Sequence, residues 1–371
     1  MRMGTYYSSI DRSGDSLQSK VISFLRFPLI VAVVLIHTEP HSVITGSNEV
    51  VGTQHYGIYN MIFMLISNIF ANVAVPLFFF ISGFLFFNKG GYFTLPTYLK
   101  KIRKRAKSLL VPYIIWNIIV YLILLLWQTF WPGSSSGSKL VINYSFVEWL
   151  RIFWDIRSGF YPLCAQFWFL RDLMVVMILS PVVYLLVKLL KQYFLCILGI
   201  LWFTNTWFDI TGLSIAAIFF FSCGSYFGIM KKNFVKTLRP LMKLSVIIYP
   251  IVCLTILYFS SDPAVVKYLL SLSTLIGMIL AITISAYYIS REKWSVNNFL
   301  SESSFFIYAY HQIILALVVK ISVKTFYPMS DFGLLAVYII SPILIICFGL
   351  GLYYVLRHYL PRFTSIITGG R

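Results

Sequence analysis

The sequence predicts an all-α fold, a polytopic transmembrane helix bundle of about ten spans with both termini cytoplasmic. Three observations predict it. Hydrophobic residues fill 59% of the 371 positions and charged residues only 11%, with a mean hydropathy of +0.83, more apolar surface than a soluble chain buries. The apolar residues fall into runs long enough to cross a hydrocarbon core of about 30 Å, which needs about 20 residues of helix. Lys and Arg concentrate in alternate loops, as the positive-inside rule requires.

The polar segment 1–19 contains no apolar region ending in a small-residue cleavage site, so the first run, near 21–39, is expected to stay as an anchor. The loop after it, Glu39 to Asn60, has no Lys or Arg and is expected outside. The second run, 60–87, ends in a basic loop holding Lys89, Lys100, Lys101, Arg103, Lys104, Arg105 and Lys107, expected inside. The third run is 111–131. A long outer loop then opens with Gly133 to Ser138 and continues through Phe146-Val147-Glu148-Trp149-Leu150-Arg151, whose aromatics and charges suit a short interfacial helix. Runs at 166–187, 193–208, 211–230, 244–260, 267–290, 304–325 and 333–357 follow, with Lys188, Lys191, Lys231, Lys232, Lys236, Arg239, Lys243, Arg291, Lys293, Arg357 and Arg362 on the inner side. One integral domain, 20–358, is therefore expected between the cytoplasmic segment 1–19 and a short cytoplasmic tail, 359–371.

The net charge of +18 is distributed as membrane topology demands, so no nucleic-acid partner is expected. Anionic headgroups of membrane lipids and a phosphorylated cosubstrate fit it better. The five cysteines lack metal-ligand spacing, and Pro40 interrupts the helix that would align His37 with His41, so no metal is expected. Gly90-Gly91 alone reads as a turn.

Arg26 and His37 are two ionisable residues in one apolar run, and such residues usually face a bundle interior or a wet cavity. Their offset is about three helical turns, which sets both on one face roughly 16 Å apart. His37 has the side chain of a general base near neutral pH, or of a packed histidine bonded to a neighbouring helix. Arg26 could snorkel to headgroups or present a fixed fork of donors to a phosphate. The run Tyr98 to Tyr113 is an inner-leaflet anchor and, in addition, a cradle for a polyphosphate through Arg103, Lys104, Arg105 and Lys107. Pro76 and Ser82-Gly83 could bend the second span toward a ligand or serve helix packing. Trp168, Arg171 and Asp172 fit an interfacial belt with a charge pair. Tyr308 and His311, three apart, share a face, either in a helix-to-helix hydrogen bond or lining a cavity.

Taken together these residues resemble the acyltransferase 3 family of integral membrane acyltransferases. The matching features are Arg26 and His37 at the Arg-x10-His spacing, Pro76-Leu77-Phe78-Phe79-Phe80-Ile81-Ser82-Gly83, the basic run ending at Pro112-Tyr113, Trp168 to Leu173, and Phe306-Ile307-Tyr308-x-x-His311. The resemblance runs in order from about residue 20 to 315. It implies a ten-helix core, an acyl-CoA donor reached from the cytoplasm, and an acceptor hydroxyl on a glycan or other envelope molecule. It implies catalytic roles for His37 and Arg26, donor contacts at Arg103, Lys104, Arg105 and Lys107, and substrate contacts at Ser82, Trp168, Arg171, Asp172, Tyr308 and His311. One departure is that Arg105 is followed by Ser108 where family members often carry Arg-x-x-Arg; Lys104 and Lys107 keep that spacing without a planar fork.

The expectation is therefore an O-acyltransferase of the cell membrane, with acetyl-CoA as the simplest cosubstrate, no permanently bound cofactor and room for an oligomer. Two other classes are compatible with the residues: a transporter or flippase using Arg26, His37 and His311 as a binding or proton-relay site, and a catalytically idle membrane partner.

Overall fold

In the computed structural model, which describes residues 3–40, 57–88, 93–130, 139–157, 159–327 and 330–370, the apolar runs form helices and no β-strand occurs among those residues. Backbone polar groups have no water to bond in hydrocarbon, so a helix that satisfies them internally is the form these runs take. The long members are α1 (Met3–Ile36), α2 (Gly57–Asn88), α3 (Leu95–Phe130), α9 (Phe234–Tyr258), α10 (Pro263–Ser290), α11 (Asn298–Phe326) and α12 (Asp331–Tyr359). Between them lie α4 (Phe146–Arg151), α5 (Trp168–Ile178), α6 (Ser180–Leu190), α7 (Gln192–Thr204) and α8 (Ile215–Ile229), and α13 (Pro361–Thr368) closes the chain. The Gly90-Gly91 turn, the Gly133 to Ser138 stretch and His41 lie outside the described residues.

Among the described residues seven helices are long and apolar enough to cross a membrane, or eight if α5 and α6 form one span. The fourth predicted span, 166–187, is thus two helices bent by 64° rather than one rod. The break falls at Leu179-Ser180-Pro181, where a proline in the first turn of α6 cannot donate back into α5. The fifth and sixth runs become helices of 13 and 15 residues. At 1.5 Å per residue these reach about 20 Å, short of an untilted hydrocarbon core.

Span two stays continuous, but its irregularity sits before Pro76, not at it. Met64–Phe70 winds as a π-helix and Ala71–Val73 as a 3-10 turn, after which Pro76 occupies the first turn of the regular helix beginning at Ala74. The same device recurs in α3, where a π-helical Ala106–Leu110 precedes Pro112. There the widened turn joins the basic amphipathic stretch Leu95–Arg105 to the apolar Val111–Phe130.

Gly83 serves packing. A Cβ built on it would meet the Phe221 carbonyl oxygen at 2.0 Å, and one on Gly224 would meet the Phe80 carbonyl oxygen at 1.8 Å. Backbones of α2 and α8 touch through these glycines, the small-residue contact that lets apolar helices associate where hydrophobic exclusion does not drive them. Large apolar side chains such as Leu126, Leu254 and Phe348 remain exposed around the bundle, a belt that lipid covers.

Helix α1 packs on α11, α10, α2 and α12. It begins at Met3, so the polar amino-terminal segment extends the helix, and Gln18 accepts from the Phe234 amide at 3.0 Å. The carboxy-terminal segment folds back as α13, with Thr364, Ile367 and Thr368 buried and the Ile367 carbonyl accepting from the Trp116 indole at 3.0 Å.

Candidate active site

A cavity of about 140 Å³ opens between α1, α2, α3, α5 and α11. Arg26 reaches it from α1, Ser82 from α2, Arg105 from the last turn before the π-helix, and Ser301, Ser304 and Tyr308 from α11, with Phe78 and Phe169 among the apolar wall. Positions 301, 304, 308 and 311 of α11 follow the three- and four-residue steps of one helix face. No Asp or Glu lines the cavity, and neither guanidinium pairs with a carboxylate among the described residues. Two cations on one low-dielectric cavity are favourable only with an anion between them, and a guanidinium fork suits phosphate.

One turn beyond Tyr308, the ring of His311 meets the ring of His37 edge to face, with centroids 5.1 Å apart. Helices α1 and α11 therefore run in the same sense, Arg26 level with the serines and His37 level with His311. The one-face expectation for Arg26 and His37 needs one adjustment: α1 ends at Ile36, and His37 stands in the turn after it. Its amide still reaches the Val33 carbonyl at 3.4 Å, and its ring Nδ1 bonds the same oxygen at 2.8 Å. Glu39-Pro40 explains the stop, because the residue before a proline is driven out of helical geometry.

His311 is fully buried, and its Nδ1 bonds the Tyr308 carbonyl at 2.8 Å. A carbonyl only accepts, so Nδ1 carries the hydrogen in both rings, and Nε2 of each neutral ring is the basic nitrogen. The Nε2 of His311 is buried with no hydrogen-bond partner among the described residues. Two hydroxyls that bond to the last turn of α1 are committed there: Thr38 donates to the Val34 carbonyl at 2.8 Å and Ser67 to the Leu35 carbonyl at 2.9 Å.

Gln166, to which the sequence reading gave no role, holds this region together. Its backbone amide donates to Gln312 at 2.9 Å, its side-chain amide donates to the Ala309 carbonyl at 2.8 Å, and its own carbonyl accepts the Tyr308 hydroxyl at 2.6 Å. The signal available was a lone amide at the start of an apolar run, which only the fold connects to Tyr308.

The other expected site residues lie apart from the cavity. Arg171 and Asp172 are buried, and Arg171 Nε donates to Asp172 at 3.0 Å while Nη1 donates to the carbonyls of Trp154 and Phe160, both at 2.7 Å. They staple the loop after α4 to α5. Trp168 is half-buried at the start of α5 and does not line the cavity. Arg103, Lys104 and Lys107 are exposed and point away from it, so of the basic run only Arg105 reaches the cavity. Cys164 is buried just before α5, and burial pushes its thiol up, away from the thiolate a nucleophile needs.

The chain belongs to the acyltransferase 3 family: the sequence profile described as an acyltransferase domain matches residues 20–358. That makes it a multi-pass membrane acyltransferase. A curated relative, the succinoglycan biosynthesis protein ExoH of Rhizobium meliloti (strain 1021), is 25% identical over 368 residues, covering 96% of this chain and 94% of the relative. No solved structure matches the chain.

Proposed function

We propose that the protein is an O-acyltransferase of the bacterial cytoplasmic membrane that moves an acyl group, in the simplest case acetyl, from cytoplasmic acyl-CoA to a hydroxyl of an exported or envelope glycan. The observation that carries this reading is the axis from the Arg26 and Arg105 cavity through Tyr308 to the His37 and His311 pair. The loop charges orient it, with the arginines toward the cytoplasm and His37 toward the outside, in a ten-span bundle with both termini cytoplasmic. In that count α7 and α8 each cross, the close glycine contacts of α8 with α2 keeping it inside the bundle.

Arg26 and Arg105 hold the donor's diphosphate. The roughly 16 Å to His37 is a distance that an extended pantetheine arm bridges, so the thioester arrives at the imidazole. Nε2 of His37 takes the proton of the acceptor hydroxyl as its oxygen bonds to the thioester carbon; the carbon–sulfur bond then breaks, and the proton passes from His37 to the leaving thiolate. Direct transfer is favoured over an acyl-enzyme because Thr38 and Ser67 bond backbone carbonyls, not His37, and Cys164 is held as a thiol. Arg26 is a binding residue in this scheme and stays away from the reacting carbon.

The relative's place in succinoglycan biosynthesis supports a glycan acceptor. Mass analysis of envelope and exported glycans from cells with and without the protein tests this. An acyl increment that disappears on deletion is expected, and unaltered glycan acylation would overturn the proposal.

A further inference from the structure

A second cavity, of about 250 Å³, lies at the end of α2 remote from His37, between α2, α3, α6 and the end of α8. Its lining includes Lys101, Lys188 and Lys231, together with the rings of Phe87, Phe93 and Tyr184, and no Asp or Glu among the described residues. Lys101 Nζ donates to the Phe86 carbonyl at 2.6 Å and stands 5.6 Å and 5.9 Å from the ring centroids of Phe87 and Phe93. Lys231 Nζ donates to the Asn88 carbonyl at 3.2 Å, and Lys188 Nζ sits 5.2 Å from the Tyr184 centroid.

The plainest account is that the lysines cap the last carbonyls of α2, which a cation at a helix C-terminus satisfies. It covers Lys101 and Lys231 but not Lys188, which contacts a ring on its own helix. Nor does it explain why Lys101 and Lys188 share one cavity with no carboxylate among its described lining residues, where their repulsion is relieved by a bound polyanion. An ammonium has three hydrogens, and the bond to Phe86 uses one of those on Lys101. Carbonyl bonds and ring contacts fix the ammonium groups before any ligand arrives.

The position relates this cavity to the first. Lys101 and Arg105 are four residues apart on α3, about 6 Å along one helix face. Phe87 on α2 is likewise a short step beyond Ser82, which lines the first cavity. Phosphate held by Arg26 and Arg105 thus has a second basic station next to it, on the side away from His37.

We propose that this lysine cavity binds the terminal nucleotide phosphate of the donor: it takes the 3′-phosphate of coenzyme A and sets the purine against the aromatic wall, while Arg26 and Arg105 take the diphosphate. The assignment rests on the acyl-CoA reading. It also replaces Arg103, Lys104 and Lys107 as the expected phosphate contacts, because those side chains leave the cavity walls. Its consequence is discrimination between coenzyme A and its 3′-dephospho form.

The test is binding of adenosine 3′,5′-bisphosphate and of adenosine 5′-monophosphate to the full-length protein in zwitterionic nanodiscs, which requires no acyl transfer. Wild-type protein should prefer the bisphosphate by about tenfold or more, as one charge-assisted phosphate site provides. Lys101→Gln with Lys188→Gln should abolish that preference; Lys188→Gln alone, an exposed position with little folding risk, should weaken it at an unchanged unfolding temperature. An equal preference in wild type and variants would overturn the proposal. So would a variant that loses only retention of anionic lipid, which makes the cavity a headgroup site. Bisphosphate preference without any acyl transfer would leave the site standing and remove the transferase reading instead.

Discussion

His37 and His311 face each other edge to face with ring centroids 5.1 Å apart, and each gives its Nδ1 hydrogen to a carbonyl of its own helix. Two neutral rings, each with a basic Nε2, therefore stand together at the end of α1, one partly exposed and one fully buried. A hydroxyl donor is the complement of that arrangement, and the acceptor supplies it. His311 is read as a positioning residue acting through His37. His311→Ala should lower kcat by about 10- to 100-fold, and its effect should largely vanish in a His37→Ala background, because residues acting as one unit are non-additive. Equal fold-losses in both backgrounds, from single-turnover rates, would mean that His311 works independently.

Arg26 and Arg105 are predicted to act on donor binding. Arg105→Lys keeps the charge and loses the fork, and should raise the donor KM by about tenfold while kcat changes little, the worth of one charge-assisted contact. Arg26→Lys should behave alike. A loss confined to kcat, with KM unmoved, would place Arg26 in a helix-bracing network instead.

Gly83 and Gly224 are predicted to be structural. Ala at either puts a Cβ about 2 Å from a facing backbone carbonyl, so the helices must separate, and strain of about 1–3 kcal/mol or more is expected. Gly351, with nothing within 4 Å of its Cβ position, is the comparison: Gly351→Ala should be neutral or stabilising by up to about 1 kcal/mol. Unfolding temperatures of the three variants in the same lipid decide this.

The short helix α4 carries a pH-dependent cap. Ser145 and Glu148 form a reciprocal capping box, and Lys139 bonds Glu148 at 2.6 Å. Lys139 first, then the Ser145 backbone and hydroxyl, hold the Glu148 carboxyl down at about 2, against an ordinary 4.5. A depressed carboxylate favours the folded form above its ordinary value and loses that contribution as pH falls through the folded one. Protease cleavage within 139–151 should therefore increase as pH drops from about 4.5 toward 2, with an acid-active protease as probe. Glu148→Gln should show the cleavable behaviour already at neutral pH.

Several of these relationships were legible in the chain. The shared face of Tyr308 and His311 follows from helical period, and Arg26 from the cost of a buried charge; Tyr308 and Arg26 line the cavity, where Ser301 and Ser304 join them. Of the prolines only Pro76 reads as a bend; the wide turns precede it and Pro112, and Pro181 lies at a 64° break in a run that reads as one span. Gly83 is decided by the backbone of α8, more than a hundred residues away, which no local pattern contains. Arg171, read at the interface, is instead drawn inward by the carbonyls of Trp154 and Phe160. The convergence of Lys101, Lys188 and Lys231 is likewise tertiary, since each alone is an ordinary membrane-flanking lysine.

The most direct measurement of the central claim is transfer of label from acetyl-CoA to a glycan acceptor by purified protein in lipid, compared with His37→Ala. The wild type should transfer. The variant should retain the wild-type unfolding temperature and donor affinity and lose about 100- to 10,000-fold in rate, the range for removal of a general base. A folded His37→Ala protein that transfers at the wild-type rate would contradict the account.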